Sequence, residues 1–201
     1  MSTLLYIKAN PKPDRESVTF RVSENFIDTY KEHHPKDDVI TLDLYSEGVA
    51  PLDAEDINDI FNPEVKKQKN HRIIKYAYQF ADADKYVFAA PMWNFSIPSI
   101  LKAYIDYIAI AGITFKYTAD GPIGLCQNKK AIHITARGGV YSDSPSDETE
   151  MGDRYLRNIL GFMGIEDIDT LAIEGLNIMS MDREAIIEKA IEEAKRKGKI
   201  F

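Results

Sequence analysis

The stretch YVFAAPMWNFSIPSILKAYID, residues 86–106, joins an apolar run to an apolar helix through a short turn. The run YVFAA indicates a buried strand, and the apolar positions after the turn recur at helical spacing. A helix that is apolar around much of its circumference has to be covered on more than one side, by the sheet and by further packing such as a second subunit. Turns are usually built from Gly, Pro, Asn, Asp and Ser, so the large side chains of Met92, Trp93 and Phe95 need an explanation.

The rest of the chain repeats this order of strand and helix. Further apolar runs predict strands at residues 3–7, 38–45, 129–139 and 165–175. Amphipathic segments predict helices at residues 15–33, after Asn62-Pro63, at 153–164, and from Asp182 to a stop before Gly198. Between these elements, we expect residues 46–61 to form a looser connection and residues 112–128 to form a small hairpin or loop.

Strands joined by helices throughout predict a parallel sheet with helices on both faces. Five strands in 201 residues fit a flavodoxin-like, doubly wound α/β sheet of order 2-1-3-4-5, and we expect residues 1–201 to form one domain. Ligands bind such sheets beyond the carboxyl ends of the strands, near the first and third strands. The turn at residues 91–95 follows the third strand, so its large side chains lie where a ligand is expected.

Composition narrows the class of protein. The apolar fraction of 44% and the charged fraction of 28% are ordinary for a globular protein, and the net charge of −7 disfavours a nucleic-acid surface. The N-terminus has only a short apolar run, which predicts neither a signal peptide nor a membrane span. The single cysteine, Cys126, allows no internal disulfide and no Cys-based metal cluster. We therefore expect a cytoplasmic protein.

Three loops at the expected ligand edge carry the candidate chemistry. In the first, Ser17 and Thr19 lie near a helix start, where a phosphate binds well, although simple capping of the helix explains them too. In the turn after the third strand, aromatic and thioether side chains suit a flat ring, but a core or a subunit interface is an alternative. In the third, Gly138 and Gly139 allow close approach of a ligand, and Arg137 suits a carbonyl or a phosphate unless it is simply exposed.

Catalysis by the protein alone has little support in the sequence. Zinc-binding H-E-x-x-H and hydrolase G-x-S-x-G patterns are missing, and His133 lies inside a predicted strand, where a core role with a satisfied partner is expected. Cys126 has no His nearby in sequence to activate it. A ring-binding site without an acid–base pair indicates that a cofactor supplies the chemistry.

Four segments in this order carry a family resemblance: residues 90–106, residues 112–125, KKAIHITARGG and ILGFMGI. Over essentially its whole length the chain resembles the FMN-dependent NADH:quinone oxidoreductases of the azoreductase family. The resemblance implies a flavodoxin-like fold, a homodimer with one FMN per subunit at the interface, and NADH as the electron donor.

The resemblance also assigns residues. Ala136 replaces the hydroxyl residue that the family has before R-G-G, and Asn10 stands where a serine pair is common. The positions assigned to FMN are Asn10, Ser17, Thr19, Pro91, Met92, Trp93, Asn94, Phe95, Arg137, Gly138 and Gly139.

The substrate site implied by the resemblance contains aromatic positions at Tyr117 and Phe162, with Tyr141 where the family often has histidine. The resemblance further implies that two electrons would pass as a hydride from NADH to N5 of FMN and then to a quinone or azo compound that enters the same pocket, which predicts ping-pong kinetics. Backbone N–H groups near Asn94, Gly138 and Gly139 would stabilise the reduced ring, so no protein side chain is assigned as a catalyst and no metal is expected.

Other functions remain alternatives at this stage. A flavodoxin-type electron carrier explains the fold and the acidity, but it leaves the apolar helix and the segment with Tyr117 unexplained. A quinone reductase of a neighbouring flavodoxin-like family differs in oligomeric state and nucleotide preference. A hydrolase is the least attractive, because no activated nucleophile is found.

Overall fold

A computed structural model of the chain describes residues 1–142 and 147–201, and a parallel sheet forms its centre. Within those residues the strands are β1 (Thr3–Lys8), β2 (Asp38–Asp43), β3 (Lys85–Ala89), β4 (Phe115–Thr118), β5 (Gly121–Gly124), β6 (Lys130–Ala136) and β7 (Asp167–Ile173). The five-stranded sheet has the order β2-β1-β3-β6-β7, with every pair parallel, and β4 and β5 form a separate antiparallel hairpin. The predicted flavodoxin-like order and the small hairpin are both confirmed.

Helices cover both faces of this sheet. They are α1 (Val18–His33), α2 (Ala54–Phe61), α3 (Pro63–Lys66), α4 (Ile74–Asp82), α5 (Ser99–Ile108), α6 (Gly152–Phe162) and α7 (Arg183–Ile200). Because side chains alternate along a strand, Leu4 and Tyr6 of β1 pack with α1 and α7, whereas Leu5 and Ile7 pack with α4, α5 and α6. The two apolar clusters hold the strand ends, and with them the three loops, in fixed relative positions.

The structure corrects three predictions about the helices in the first half of the chain. Helix α1 begins at Val18 and not at residue 15, because Ser17 caps it with its side chain. Residues 46–61 are not simply a loose connection, since they contain α2, which starts with a reciprocal capping box between Asp53 and Asp56. The helix expected after Asn62-Pro63 breaks after one turn and resumes at Ile74.

The apolar helix α5 is covered by its own chain. Tyr104 is fully buried and meets the ring of Tyr76 edge-on at 6.1 Å, and the Tyr107 hydroxyl donates to the carbonyl of Ala50 at 2.7 Å. The segment around Ala50 and helix α4 therefore provide the packing partners of α5. A second subunit was one of the partners expected from the sequence. The apolarity of α5 does not by itself require a dimer.

The last helix does not end before Gly198, as the sequence suggested, but continues to Ile200. A Cβ atom on Gly198 would lie 2.6 Å from the carbonyl oxygen of Phe26 in α1. This glycine therefore serves close packing between α1 and α7 and is not a helix stop.

Candidate active site

The first loop places two predicted phosphate residues at the start of α1. The Ser17 hydroxyl accepts a hydrogen bond from the N–H of Phe20 at 3.2 Å, and the Asn10 side chain donates to the same hydroxyl at 3.0 Å. Ser17 thus caps the helix, as the simpler interpretation had it. The Thr19 hydroxyl is buried as well, but no group in the described part of the chain is its partner.

Two acidic side chains near the first turns of α1 are paired with one lysine. The Asp14 carboxylate lies 2.6 Å from the ammonium of the buried Lys8, which also contacts Glu24 at 2.9 Å. No acidic residue lies in the first turn of α1. A helix N-terminus with a buried, unpartnered hydroxyl is a suitable place for a phosphate.

The turn after β3 is rigidly held at both ends. The Met92 N–H donates to the carbonyl of Ala136 at 3.0 Å, and Trp93 and Ser96 exchange two backbone hydrogen bonds of 2.8 and 2.9 Å. Between them Asn94 and Phe95 both have positive φ, 48° and 66°, as in a type I′ turn.

This conformation is costly for Phe95, and strained backbone of this kind is concentrated at functional sites. The Phe95 side chain is 53% exposed and that of Trp93 is 39% exposed, so neither is a core residue. Within the described ranges the backbone N–H groups of Asn94 and Phe95 donate to no acceptor. The turn therefore presents aromatic surface and free donors to whatever lies beyond the sheet.

In the third loop, the sequence predicts that Arg137 either binds a ligand or is exposed, and the structure shows a different environment. It is neither exposed nor turned towards an open site: the guanidinium is buried, 3.0 Å from Glu174 and 3.5 Å from Glu150. Glu174 also accepts from the N–H groups of Tyr141 and Ser142, at 3.0 and 3.1 Å. Arg137 thus fixes the path of the loop from inside, and no local sequence pattern indicates its two carboxylate partners.

The glycines of this loop permit close backbone packing. A Cβ atom on Gly138 would lie 2.6 Å from the side-chain nitrogen of Asn177, and one on Gly139 would lie 3.2 Å from the ring of Tyr141. The N–H groups of both glycines have no acceptor in residues 1–142 and 147–201. The Tyr141 ring meets that of Phe95 edge-on at 6.5 Å, so the second and third loops are in contact.

A buried histidine network lies beneath the turn. His133 of β6 places Nε2 3.3 Å from the carbonyl of Ala90 and Nδ1 3.1 Å from the carboxylate of Asp153. The prediction of a core histidine with a satisfied partner is confirmed. Asp153 was not singled out from the sequence, because its role depends on where α6 starts and no local pattern reveals that.

Helix α6 connects this network to the far end of the sheet. At its start, the N–H of Met151 donates to the carbonyl of Phe95 at 2.8 Å, and the buried Glu150 accepts from the N–H of Gly152 at 3.0 Å. At its other end lies Phe162. Eleven residues of helix span about 16 Å, so Phe162 lies far from the turn.

Two of the three predicted substrate aromatics, Tyr117 and Phe162, are close to each other but not to the other loops. The Phe115 ring lies 5.5 Å from that of Tyr117 and 4.6 Å from that of Phe162. The Tyr117 side chain is 72% exposed. This aromatic cluster (Phe115, Tyr117 and Phe162) is at the end of the sheet where β6 begins, opposite the turn at residues 91–95.

Cavity size does not locate the site. A hollow of about 890 Å³ opens near the aromatic cluster, at the amino ends of the strands, and mainly charged and small residues line it. Among its walls are Lys85, Lys130 and Asp167, each at or near the first residue of a strand. Ligand binding in parallel sheets is expected at the opposite edge.

Other reactive groups offer no competing chemistry. Burial raises the pKa of the Cys126 thiol to about 11, so it is protonated at neutral pH and a poor nucleophile. Among the residues that the structure describes, no three His, Cys, Asp or Glu side chains are arranged to bind a metal ion. In the same residues, no helix is both long enough and apolar enough to cross a lipid bilayer.

Comparison with known proteins identifies the family. A family model described as flavodoxin-like fold matches residues 2–197. The chain is 59% identical to an FMN-dependent NADH:quinone oxidoreductase of Caldicellulosiruptor saccharolyticus and 57% identical to one of Clostridium perfringens, over 100% of both chains in each case.

Solved structures give the same result. The crystal structure of an azoreductase from Bacillus anthracis str. Sterne superposes with a TM-score of 0.90 at 40% identity, over 100% of both chains. An FMN-dependent NADH-azoreductase from Bacillus anthracis str. Ames Ancestor, in complex with FMN, gives 0.89 at 31% identity, over 98% of both chains. The chain belongs to the family of flavodoxin-like FMN-dependent NADH:quinone oxidoreductases.

Proposed function

We propose that this chain is an FMN-dependent oxidoreductase that takes two electrons from NADH, passes them to quinones and reductively cleaves azo compounds. One observation carries the proposal: at the ligand edge of the sheet, Trp93 and Phe95 are exposed on a strained turn with free N–H donors. The names of the relatives agree with it.

The residues fit FMN in two places. A phosphate at the start of α1 would supply the acceptor that the buried Thr19 hydroxyl lacks among the described residues. A flat ring beside residues 91–95 would cover the exposed Trp93 and receive hydrogen bonds from the free N–H groups of Asn94 and Gly138.

The bound FMN would supply the redox chemistry, accepting electrons from NADH and delivering them to the second substrate. The chain's own residues orient the ring and stabilise negative charge on it through backbone donors that are already in place. Arg137 acts indirectly, since Glu150 and Glu174 hold its guanidinium and Glu174 in turn holds the loop.

We propose further that the protein is a homodimer whose substrate pocket uses both subunits. Tyr117 and Phe162 lie at the opposite end of the sheet from the turn at residues 91–95, so they cannot roof that turn in their own chain. A second copy arranged about a two-fold axis would bring its aromatic cluster to the turn, and the high exposure of Tyr117 supports such a contact.

The whole chain is proposed to be one FMN-binding domain located in the cytoplasm. Strands of the central sheet come from Thr3 through Ile173, and α7 packs against α1, so the elements from the two ends of the chain share one core. A single buried cysteine and NADH as the donor are consistent with a reducing compartment.

Initial-rate kinetics test this function. With FMN-saturated protein, NADH varied at several fixed quinone concentrations should give parallel double-reciprocal lines, because both substrates use one pocket in turn. Azo cleavage should consume two NADH per azo bond. Intersecting lines would contradict the shared pocket, and absence of NADH oxidation would favour an electron carrier.

A further inference from the structure

The buried His133 ring lies between two groups that accept hydrogen bonds. Its Nε2 is 3.3 Å from the carbonyl oxygen of Ala90, and its Nδ1 is 3.1 Å from Oδ1 of Asp153. A carbonyl oxygen cannot donate. Whether the ring needs one proton or two therefore depends on the state of Asp153.

Asp153 is ionised in this network. Its Oδ2 accepts from Nε of Arg157 at 2.7 Å, and its Oδ1 accepts from the Thr170 hydroxyl at 2.6 Å. Burial opposes ionisation, but hydrogen bonds from His133, Thr170 and Arg157 outweigh it and hold the pKa of Asp153 well below its usual range. Both neighbours of the His133 ring are thus acceptors only.

A neutral imidazole has one N–H and would satisfy one of these two acceptors. In either tautomer the other ring nitrogen would direct a lone pair at an oxygen, inside a core where an unmade hydrogen bond is expensive. The doubly protonated ring satisfies both, and its charge lies beside the Asp153 carboxylate, which it shares with the exposed Arg157.

We propose that His133 is a buried imidazolium and a positioning residue for the ring-binding turn, an inference that rests on the function proposed above. Through its Nε2–H it holds the carbonyl of Ala90, the residue just before Pro91. Through its Nδ1–H it connects that carbonyl to Asp153 in the first turn of α6.

The strained backbone of the turn at residues 91–95 requires restraints such as the hydrogen bond from His133. Asn94 and Phe95 are held at positive φ, a conformation that persists only where the surroundings enforce it. The start of α6 holds the turn twice, by the Met151 N–H on the Phe95 carbonyl and by Asp153 through His133. Loss of the imidazolium removes one of these restraints and leaves the other.

The protonation state can be measured directly. In FMN-loaded protein with 15N-labelled histidine, the NMR spectrum at pH 7 should show protons on both ring nitrogens of His133, assigned by its disappearance in His133→Gln. Asp153→Asn should shift the His133 signals to those of a neutral ring. A neutral His133 in the wild-type protein would overturn the proposal.

The effect on the flavin is measured with matched variants. We expect His133→Gln and Asp153→Asn each to weaken FMN binding about tenfold, the size of a lost charge-assisted hydrogen bond. The control is His71→Gln, which removes a partly buried pair of 3.2 Å between His71 and Asp59 and should leave FMN affinity unchanged.

The outcomes separate the two proposals. Wild-type protein that does not bind FMN at all would refute the proposed function. Wild-type FMN affinity in both variants would refute the role of His133 and leave the function intact. If a variant fails to fold, the His133 signals are assigned by elimination with His33→Gln, His34→Gln and His71→Gln, and the wild-type 15N spectrum still decides the protonation state.

Discussion

The Thr19 hydroxyl is buried at the start of α1 and has no partner within the described chain, so it is a direct probe for a bound phosphate. Thr19→Val keeps the shape and removes the hydroxyl. We expect FMN affinity to fall about tenfold, because a hydrogen bond to a charged group is lost.

Riboflavin, which has no phosphate, should bind this variant as it binds the wild type. Fluorescence titration with both flavins measures the difference. Thr29→Val is the control, since that hydroxyl donates to the carbonyl of Asn25 on the same helix and should not affect FMN. Equal loss of FMN and riboflavin in Thr19→Val would mean that the phosphate is held elsewhere.

Trp93 tests the ring-binding turn itself. Because its side chain is 39% exposed, Trp93→Ala should change the free energy of unfolding by less than about 1 kcal/mol. FMN affinity or quinone turnover should fall about tenfold through loss of ring contact, whereas Trp93→Phe should keep most of both. If neither quantity changes in Trp93→Ala, the side chain has no part in the site.

Residue-level prediction succeeded where a side chain acts locally and failed where its partners are distant in sequence. Ser17 at a helix start and the core histidine His133 were recognised from position alone. The environment of Arg137 depends on Glu150 and Glu174, which reach it only after α6 and β7 have packed. Neither carboxylate has a local sequence pattern that indicates this pairing.

At the scale of elements, substitution of two helical glycines by alanine should have opposite effects on stability. Gly198→Ala should destabilise the protein by about 1–3 kcal/mol, because the new Cβ would lie 2.6 Å from the Phe26 carbonyl and force α1 and α7 apart. Gly161→Ala in α6 meets nothing within 4 Å, so it should stabilise by up to about 1 kcal/mol. Urea unfolding of both variants measures this, and destabilisation by Gly161→Ala or none by Gly198→Ala would contradict the packing described.

Strand and helix order was predictable because hydrophobic period is a strong signal over long elements. Helix α2 was missed, since it has eight residues and its capping box uses Asp53 and Asp56 and not the commoner Ser/Thr and Glu. The break between α3 and α4 follows from residues 67–72, which carry charge but no apolar period. The sequence pattern predicts a helix stop at Gly198, because sequence alone cannot show the close approach of α1.

For the whole molecule, acid sensitivity depends partly on a carboxylate that connects the N-terminus, α1 and β3. Hydrogen bonds from the Tyr30 hydroxyl and the N–H of Ser2, with Lys85 at 3.5 Å, lower the pKa of Asp37 to about 2. Because the folded-state pKa lies below the ordinary value of about 3.9, this contribution to stability is complete above about pH 4 and is lost as the pH falls towards 2.

Asp37→Asn should therefore be less stable than the wild type at pH 7, and the difference should shrink between pH 4 and pH 2. Urea unfolding of both proteins across this range gives the comparison. If the difference in stability between the two proteins grows as the pH falls, the stabilising role of the ionised Asp37 is contradicted.

The proposed dimer makes a prediction about mixed subunits. One chain carries Thr19→Asp, which puts a negative charge where the phosphate is expected; the other carries Tyr117→Ala and Phe162→Ala. Each variant alone should be nearly inactive, but a hybrid dimer has one site with intact loops from one chain and intact aromatics from the other. Co-purified hybrids should recover up to about half of the wild-type activity. If the hybrid recovers no activity, Tyr117 and Phe162 act in the site of their own chain.

The central claim is that the edge of the sheet around residues 91–95 holds a flavin that NADH reduces and a quinone reoxidises. The most direct measurement is the visible absorption of the FMN-saturated protein, mixed anaerobically with one equivalent of NADH and then with quinone. We expect rapid bleaching by NADH and full return of the oxidised spectrum with quinone. Bound flavin that NADH fails to bleach, or protein that binds no flavin, would contradict the claim.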